Sequence, residues 1–239
     1  MNPFWTLAQQ PVIPDFGEGS KCVTENHAFC TSWVADHWSD TLQPALLQHI
    51  KLALIAVAIG FVLAFVAALV AYRYRRADQP IGLLSDFLYT IPSLALFQLL
   101  VPLTGLTVTT VEVALVSYTL LILYRNILEG LKGVPEEVRE AARGMGLSRL
   151  QSLVRVELPL AVPSIMAGVR IATVSTISIA TIAAFVVPEG LGRPIYIGIT
   201  QDIFKTEIIA AGGLAILLAL AADALLVLLG RALTPWRNA

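Results

Sequence analysis

Apolar residues in this chain are gathered into long runs, and the runs have membrane lengths. About 20 apolar residues at a 1.5 Å rise cross a hydrocarbon core of roughly 30 Å. Leu52 to Ala71 contains no charge, Val162 to Val187 contains only Arg170, and Ile208 to Gly230 contains only Asp223. Two further runs are less uniform. Ile81 to Leu103 holds Asp86 and the interior Pro92, and Val108 to Leu128 holds Glu112, Arg125 and Asn126 near its ends. The pattern predicts an all-α integral membrane protein with about five transmembrane helices, over about 46–71, 81–103, 108–128, 162–187 and 207–230. Residues 1–44 form a separate N-terminal segment ahead of a transmembrane domain at 45–235.

Five crossings put the two termini on opposite sides. Cytoplasmic segments carry an excess of Lys and Arg. With the N-terminus outside, 72–80, 125–160 and 231–239 face inward and hold eleven basic residues. The external segments then hold four, Lys21, Lys51, Arg193 and Lys205. The bias predicts the N-terminus outside, the C-terminus inside, and a multi-pass location in the cell (plasma) membrane. A cleavable signal peptide is not expected, because the first residues lack a basic stretch and the first long apolar run starts only after about 45 residues.

The outer segment contains Trp5, Trp33 and Trp38. Tryptophan favours the membrane interface, so a segment lying on the outer surface and a loosely ordered tail are both open readings. Cys22 and Cys30 are the only cysteines. A disulfide persists outside the cytoplasm, so a small bridged loop is expected there. Two cysteines with His27 between them do not make a metal ligand set.

Composition narrows the function. Hydrophobic residues make up 56% and charged residues 14%, against roughly 25% charged in an ordinary soluble domain, with a mean hydropathy of +0.75. That excludes a disordered chain, a fibrous repeat and a disulfide-built mini-protein, and argues against a soluble enzyme. The net charge of -1 gives no reason to expect nucleic acid. Each of Lys21, Lys51, Lys132 and Lys205 lacks the preceding glycine of a P-loop, so no ATP site is expected on this chain. The sequence holds no H-E-x-x-H, G-x-S-x-G or CxxC, and His27, His37 and His49 have no evident partners. The chain reads as a conduit with no catalytic residue and no cofactor of its own.

The longest cytoplasmic segment, about 130–160, is the most informative. Pro135 suits a helix start, and Glu136 and Glu137 follow where the helix dipole favours negative charge. Val138, Ala141 and Ala142 give a small apolar face. Gly144 and Gly146 are expected to break the helix and allow positive φ. Ser148 can cap a second helix running from Arg149 to about Leu158 and stopping at Pro159. Two short helices with a glycine elbow fit either an amphipathic loop on the bilayer or a docking element for a cytosolic partner.

Glu140-Ala141-Ala142, then Gly146, then Leu158-Pro159 at the end of Val156-Glu157-Leu158-Pro159, resembles the EAA loop of ABC-importer permeases. The pattern EAA-x3-G-x9-I-x-LP is matched with valine in place of isoleucine. The likeness runs from about residue 46 to the end. It is nearest the osmoprotectant branch, with Tyr89-Thr-Ile-Pro-Ser-Leu-Ala-Leu, Pro102-Leu-Thr-Gly, Arg125-Asn126 and Gly144-Met-Gly-Leu as further matches. Val187-Pro-Glu-Gly-Leu-Gly departs from the glycine-rich stretch of many relatives in an outer loop near the gate.

The resemblance implies a type I importer permease fold. It also implies partners: two ATP-binding cassette ATPases carrying ATP and Mg, a second permease chain, either a homologue (favoured) or a copy, and an extracytoplasmic solute-binding protein. Glu140, Ala141, Ala142, Gly146, Leu158 and Pro159 would form the coupling loop that docks on the ATPase. The solute would be glycine betaine, choline, carnitine or proline. A permease for an amino acid, or a scaffold using the loop for another partner, are the alternatives.

Charges inside spans need partners, because one at the bilayer centre costs roughly 2.5–3.5 kcal/mol on insertion scales. Arg170 and Asp223 each lie about 10–12 Å from the cytoplasmic surface at 1.5 Å per residue, so an intramembrane ion pair between the fourth and fifth spans is expected. Pro92 should kink the second span and free backbone carbonyls for another group, as a gate hinge or a static bend. Tyr89, Tyr118 and Tyr124 are candidates for the translocation path, since a quaternary ammonium is drawn to aromatic faces, with plain packing as the other reading. Gly212-Gly213 is expected to serve close helix packing.

Overall fold

The computed structural model describes residues 22, 25–200 and 203–235, and these are helical with no strand among them. Helix α1 (Thr31–Asp36) leads through a π-turn (Trp38–Leu42) directly into α2 (Gln43–Arg73). Next come α3 (Arg75–Thr90), α4 (Ser93–Thr104) and α5 (Val108–Lys132). The loop after α5 contains α6 (Glu136–Gly144), α7 (Arg149–Ser152) and a π-turn (Leu153–Glu157). Helices α8 (Leu158–Ala183), α9 (Gly192–Thr200) and α10 (Lys205–Leu233) complete the chain. Trp5, Lys21 and Arg237 fall outside the described residues.

Two core clusters fix the directions of the helices. At one end Leu52 and Ala56 of α2 pack with Val111, Ala114 and Leu115 of α5 and with Ala180 and Ala183 of α8. At the other end Ala64, Ala68 and Ala71 pack with Leu123 to Leu131 and with Ala161 and Ile165. Helices α2 and α5 therefore run parallel and α8 runs antiparallel to both. Because α2 and α5 are parallel, the chain between them must return across the full thickness. Helices α3 and α4 make that return. Helix α10 begins beside Trp33 and Leu42 and comes back along α8, so five crossings leave the two ends of the described chain on opposite sides.

The second crossing is not the single helix expected over 81–103. It is broken at Ile91–Pro92, where α3 and α4 meet at 100°. Proline cannot donate a backbone bond and drives the preceding residue out of the helical region, and Ile91 sits at φ -68°, ψ 126°. The Ile91 carbonyl freed by the break accepts a hydrogen bond from the Tyr118 hydroxyl. At 1.5 Å per residue the 16 and 12 residues of the two helices reach about 24 and 18 Å, so only both together can span.

A second correction concerns Pro159. The helix after Ser148 does not stop there. A π-turn at Leu153–Glu157 carries the chain straight into α8, and Pro159 falls in the first turn of α8. Inside a continuous helix a proline removes one backbone bond and its ring crowds the preceding turn, and the π-turn just ahead of Pro159 supplies the offset that the ring requires.

Close packing is made by small residues. Ala53, Ala56, Gly60, Ala64, Ala68 and Ala71 form the buried edge of α2. A Cβ added at Gly60 would lie 1.8 Å from Thr119 Oγ1. Leu54, Val62, Leu63 and Val66, on the other faces, are exposed. Apolar tails solvate leucine as well as a neighbouring helix does, so what distinguishes the packed face is size. Gly212 and Gly213 do not serve close packing within this chain: an added Cβ would meet nothing within 4 Å.

Candidate functional site: the docking loop and its supports

Helix α6 starts at Pro135 and places Glu136 and Glu137 in its first turn. Arg139 Nη1 donates to Glu136 at 3.0 Å and Arg143 Nη2 at 2.5 Å, and these two bonds hold the Glu136 carboxyl below its usual range. The helix ends at Gly144, which keeps ordinary helical geometry. The elbow is Gly146 alone, at φ +78°. Ser148 and Gln151 then form a reciprocal capping box at the start of α7.

The six loop residues divide by direction. Glu140, Ala141 and Gly146 are exposed, whereas Ala142 is buried against the protein and Leu158 and Pro159 are partly covered at the head of α8. Beside the exposed three lie Met145 and Leu150, 73% and 70% exposed. Large apolar side chains left open on a polar loop mark a contact surface. Sequence reading had Met145 only as a branch marker, since its exposure depends on the turn at Gly146.

Arg139 anchors the loop to the bundle. Its Nη2 donates to the carbonyls of Leu131 (2.9 Å) and Lys132 (3.3 Å) at the end of α5. Its guanidinium lies 5.8 Å from the ring centroid of Tyr72, in the last turn of α2. Tyr72 in turn donates to Glu157 Oε2 at 2.5 Å, and Ser152 Oγ donates to Glu157 Oε1 at 2.9 Å. Neither Tyr72 nor Glu157 stood out in the sequence, because they are 85 residues apart.

Helix α3 is fastened to α5 by polar contacts. Asp78 accepts from Lys132 Nζ at 2.9 Å and from the Tyr124 hydroxyl at 2.7 Å. The lysine first and the tyrosine second lower the Asp78 pKa. Arg125 Nη2 reaches Asp86 at 3.0 Å. Tyr124 is 1% exposed, and Tyr118 is buried with its hydroxyl on Ile91. Both are buried inside the chain with their hydroxyls engaged, which is the packing reading of these two rings. Tyr89 is exposed and meets the Tyr118 ring edge-on at 6.0 Å. Pro92 sits at the break between α3 and α4.

Arg170 and Asp223 face each other across α8 and α10. Nε to Oδ1 is 2.8 Å and Nη2 to Oδ2 is 3.0 Å, a two-pronged arrangement.

At the opposite end, His49 is fully buried and engaged on both ring nitrogens. Nε2 donates to the Ile177 carbonyl at 3.0 Å and Nδ1 accepts from the Leu191 N–H at 3.2 Å. Gln48 Oε1 accepts from the Gly190 N–H at 3.0 Å. Gly190 adopts φ +58°, and a Cβ there would meet His49 Nδ1 at 2.8 Å. The Val187-to-Gly192 loop is thus clamped to the head of α2. His37 and His27 also have partners, the Trp33 carbonyl at 3.0 Å and Glu25 at 2.7 Å. Cys22 and Cys30 are joined by a disulfide with Cα atoms 5.8 Å apart, and Trp33 packs edge-on against Phe204. The segment from Thr31 to Leu42 is therefore folded onto the start of α10.

This helical bundle, with a two-helix loop joining α5 to α8, is the permease subunit of an ATP-binding cassette importer. The family model described as the binding-protein-dependent transport system inner membrane component matches residues 48–235, and the chain belongs to that family. It is a multi-pass protein of the inner (plasma) membrane.

Among its relatives, the choline transport system permease protein OpuBB of Bacillus subtilis is 35% identical over 189 residues, covering 79% of this chain and 86% of the relative. The osmoprotectant import permease protein OsmW of Salmonella typhimurium is 36% identical over 194 residues, 79% of this chain and 89% of that one. The inward-facing MetNI methionine ABC transporter superposes with a TM-score of 0.69 at 18% identity, over 85% of this chain and 98% of that one. At that identity the likeness speaks for the fold, and the fold is that of type I importer permeases.

Proposed function

We propose that this permease imports an osmoprotectant such as glycine betaine, choline or carnitine. Supporting that solute class are the solutes for which OpuBB, OsmW and the Bacillus subtilis glycine betaine/carnitine/choline permease OpuCB, 33% identical over 79% of this chain, are named. The observation that carries the coupling mechanism is the docking loop. Glu140, Ala141 and Gly146 stand exposed beside Met145 and Leu150, on a loop that Arg139 fastens to the bundle.

In this reading the loop side is cytoplasmic, as the basic residues of 125–160 favour. The loop docks on one of two ATPase subunits, which hold the ATP and Mg, so this chain has no cofactor and catalyses nothing. A second permease, a homologue in preference to a copy, completes the passage, because five crossings enclose little space alone. A binding protein delivers solute at the outer face. Closure of the ATPases on ATP moves the docking loops, and the permease pair changes between inward- and outward-facing arrangements as rigid bodies.

The test is ATP-dependent uptake of labelled glycine betaine, choline and carnitine into proteoliposomes. These hold this chain, its partner permease, the ATPase and the binding protein. Uptake of any one establishes the class. ATPase activity stimulated by the binding protein without uptake of the three would keep the importer and reject the solute.

A further inference from the structure

Three parts of the chain with different duties meet at Tyr72. It belongs to the last turn of α2, the crossing whose small-residue face packs on α5 and α8. Its hydroxyl donates to Glu157 Oε2 at 2.5 Å, and Glu157 closes the π-turn that joins the docking loop to α8. Arg139, which rises from docking helix α6, lies over the Tyr72 ring and grips the end of α5. The Glu157 side chain has no freedom left: the residue is 7% exposed and its second oxygen is held by Ser152. A charged acceptor buried with both oxygens bonded is costly to separate from its donors. A π-turn inside a helix is also a common place for function to be built in.

We infer that the Tyr72–Glu157 bond is the link through which movement of the docking loop reaches α2, so that the loop, α8 and α2 shift as one body when the ATPase closes. Arg139, stacked on the ring, keeps the link in register with α5. Tyr72 and Glu157 are positioning residues. They touch neither solute nor nucleotide, and their loss should separate ATP hydrolysis from transport without stopping hydrolysis. The inference rests on the importer reading above and not on which solute is carried.

The experiment uses the complete transporter in proteoliposomes and reads two ratios, solute moved per ATP and ATPase rate with and without the binding protein. For Tyr72→Phe and Glu157→Leu, solute per ATP should fall about tenfold or more, the scale of losing one charged hydrogen bond. Stimulation by the binding protein should fall with it, while basal ATPase stays near wild type. Glu157→Gln keeps an acceptor for the tyrosine and should hold both ratios near wild type. The double variant Tyr72→Phe/Glu157→Leu should be no worse than Glu157→Leu alone, since the Tyr72–Glu157 bond is already lost there together with the Ser152 bond.

A purely structural role would lower uptake and ATPase together and leave the ratios unchanged, and that result overturns the inference. If wild type moves none of the three solutes but its ATPase responds to the binding protein, the solute class fails and the link is judged on the stimulation ratio. If Tyr72→Phe fails to assemble, the pair Tyr72→Cys/Glu157→Cys decides the matter. A short bis-maleimide bridge should restore both ratios if the ends move together. Arrest of turnover by the bridge would show that the ends must separate, and the inference would be wrong.

Discussion

The Arg170 guanidinium and the Asp223 carboxylate meet edge to edge, with Nε to Oδ1 at 2.8 Å and Nη2 to Oδ2 at 3.0 Å, and so tie α8 to α10. Removing one partner strands a charge in a medium that solvates it badly. Arg170→Asp and Asp223→Arg should each lower the yield of folded, detergent-extracted chain. The double reversal should bring the yield back toward wild type. Failure of the double reversal to recover would remove the pair from the account.

Gly146 carries the elbow between α6 and α7 at φ +78° with no atom near its missing side chain. Space is therefore not the obstacle to substitution; backbone conformation is. Gly146→Val should cost about 1–3 kcal/mol locally and turn Met145 away from its present position. Co-purification of the ATPase should be lost while the helical circular dichroism of the spans is kept. Undiminished co-purification would show that the elbow is not needed for docking.

Gly60 lies against Thr119, where a methyl group has no room. Gly60→Ala should lower thermal stability in detergent by about 1–3 kcal/mol through overpacking. Thr119→Ala introduced with it should return part of that loss, because the hydroxyl is the nearest atom and the Thr119 Cβ follows at 2.9 Å. Additive losses in the double variant would contradict the contact.

His49 satisfies a buried N–H of the 187–192 loop. His49→Phe fills the same space and leaves the Leu191 N–H unpaired, a cost of about 1–3 kcal/mol. The expected outcome is a lower melting temperature together with faster hydrogen exchange at Leu191 than at the helix-bonded amides of α8. Unchanged exchange at Leu191 would argue that the histidine bond is not what holds the loop.

Asp78 gives a pH dependence with a definite sign. Its folded-state pKa is below the ordinary 3.8 because Lys132 and Tyr124 bond to the carboxylate. Stabilisation from a depressed carboxyl is fully present above the unfolded value and disappears as pH falls through the folded one. Asp78→Asn should therefore lower the melting temperature across about pH 5–8, with a gap that closes as the medium is acidified below the unfolded value. A gap that widened on acidification would reverse the assignment.

The runs of apolar residues were enough to place the four long apolar helices, because a 20-residue stretch with almost no charge has few other uses. The two short helices at 136–157 were readable too, since Pro135, Gly146 and Ser148 act on their own backbone and need no distant partner. Two details differ: Gly144 does not take a positive φ, and Pro159 does not stop the helix. Gly144 ends the helix in ordinary geometry, and a π-turn offsets Pro159 so that the helix runs on. Which face of each span is buried was not readable. Leucine is as content in lipid as against another helix, so hydropathy cannot tell Ala64 from Val66, and only the fit of small residues beside Thr119 and Leu123 decides. Tyr118 and Tyr124 looked available until the fold used their hydroxyls on Ile91 and Asp78. The sequence alone thus determined the class of protein and the two short helices with their glycine turn at 136–157, whose causes lie within a few residues of each other. The tertiary structure alone decided the break at Pro92, the His49 clamp and the Tyr72–Glu157 link, because each joins groups that only packing brings within reach.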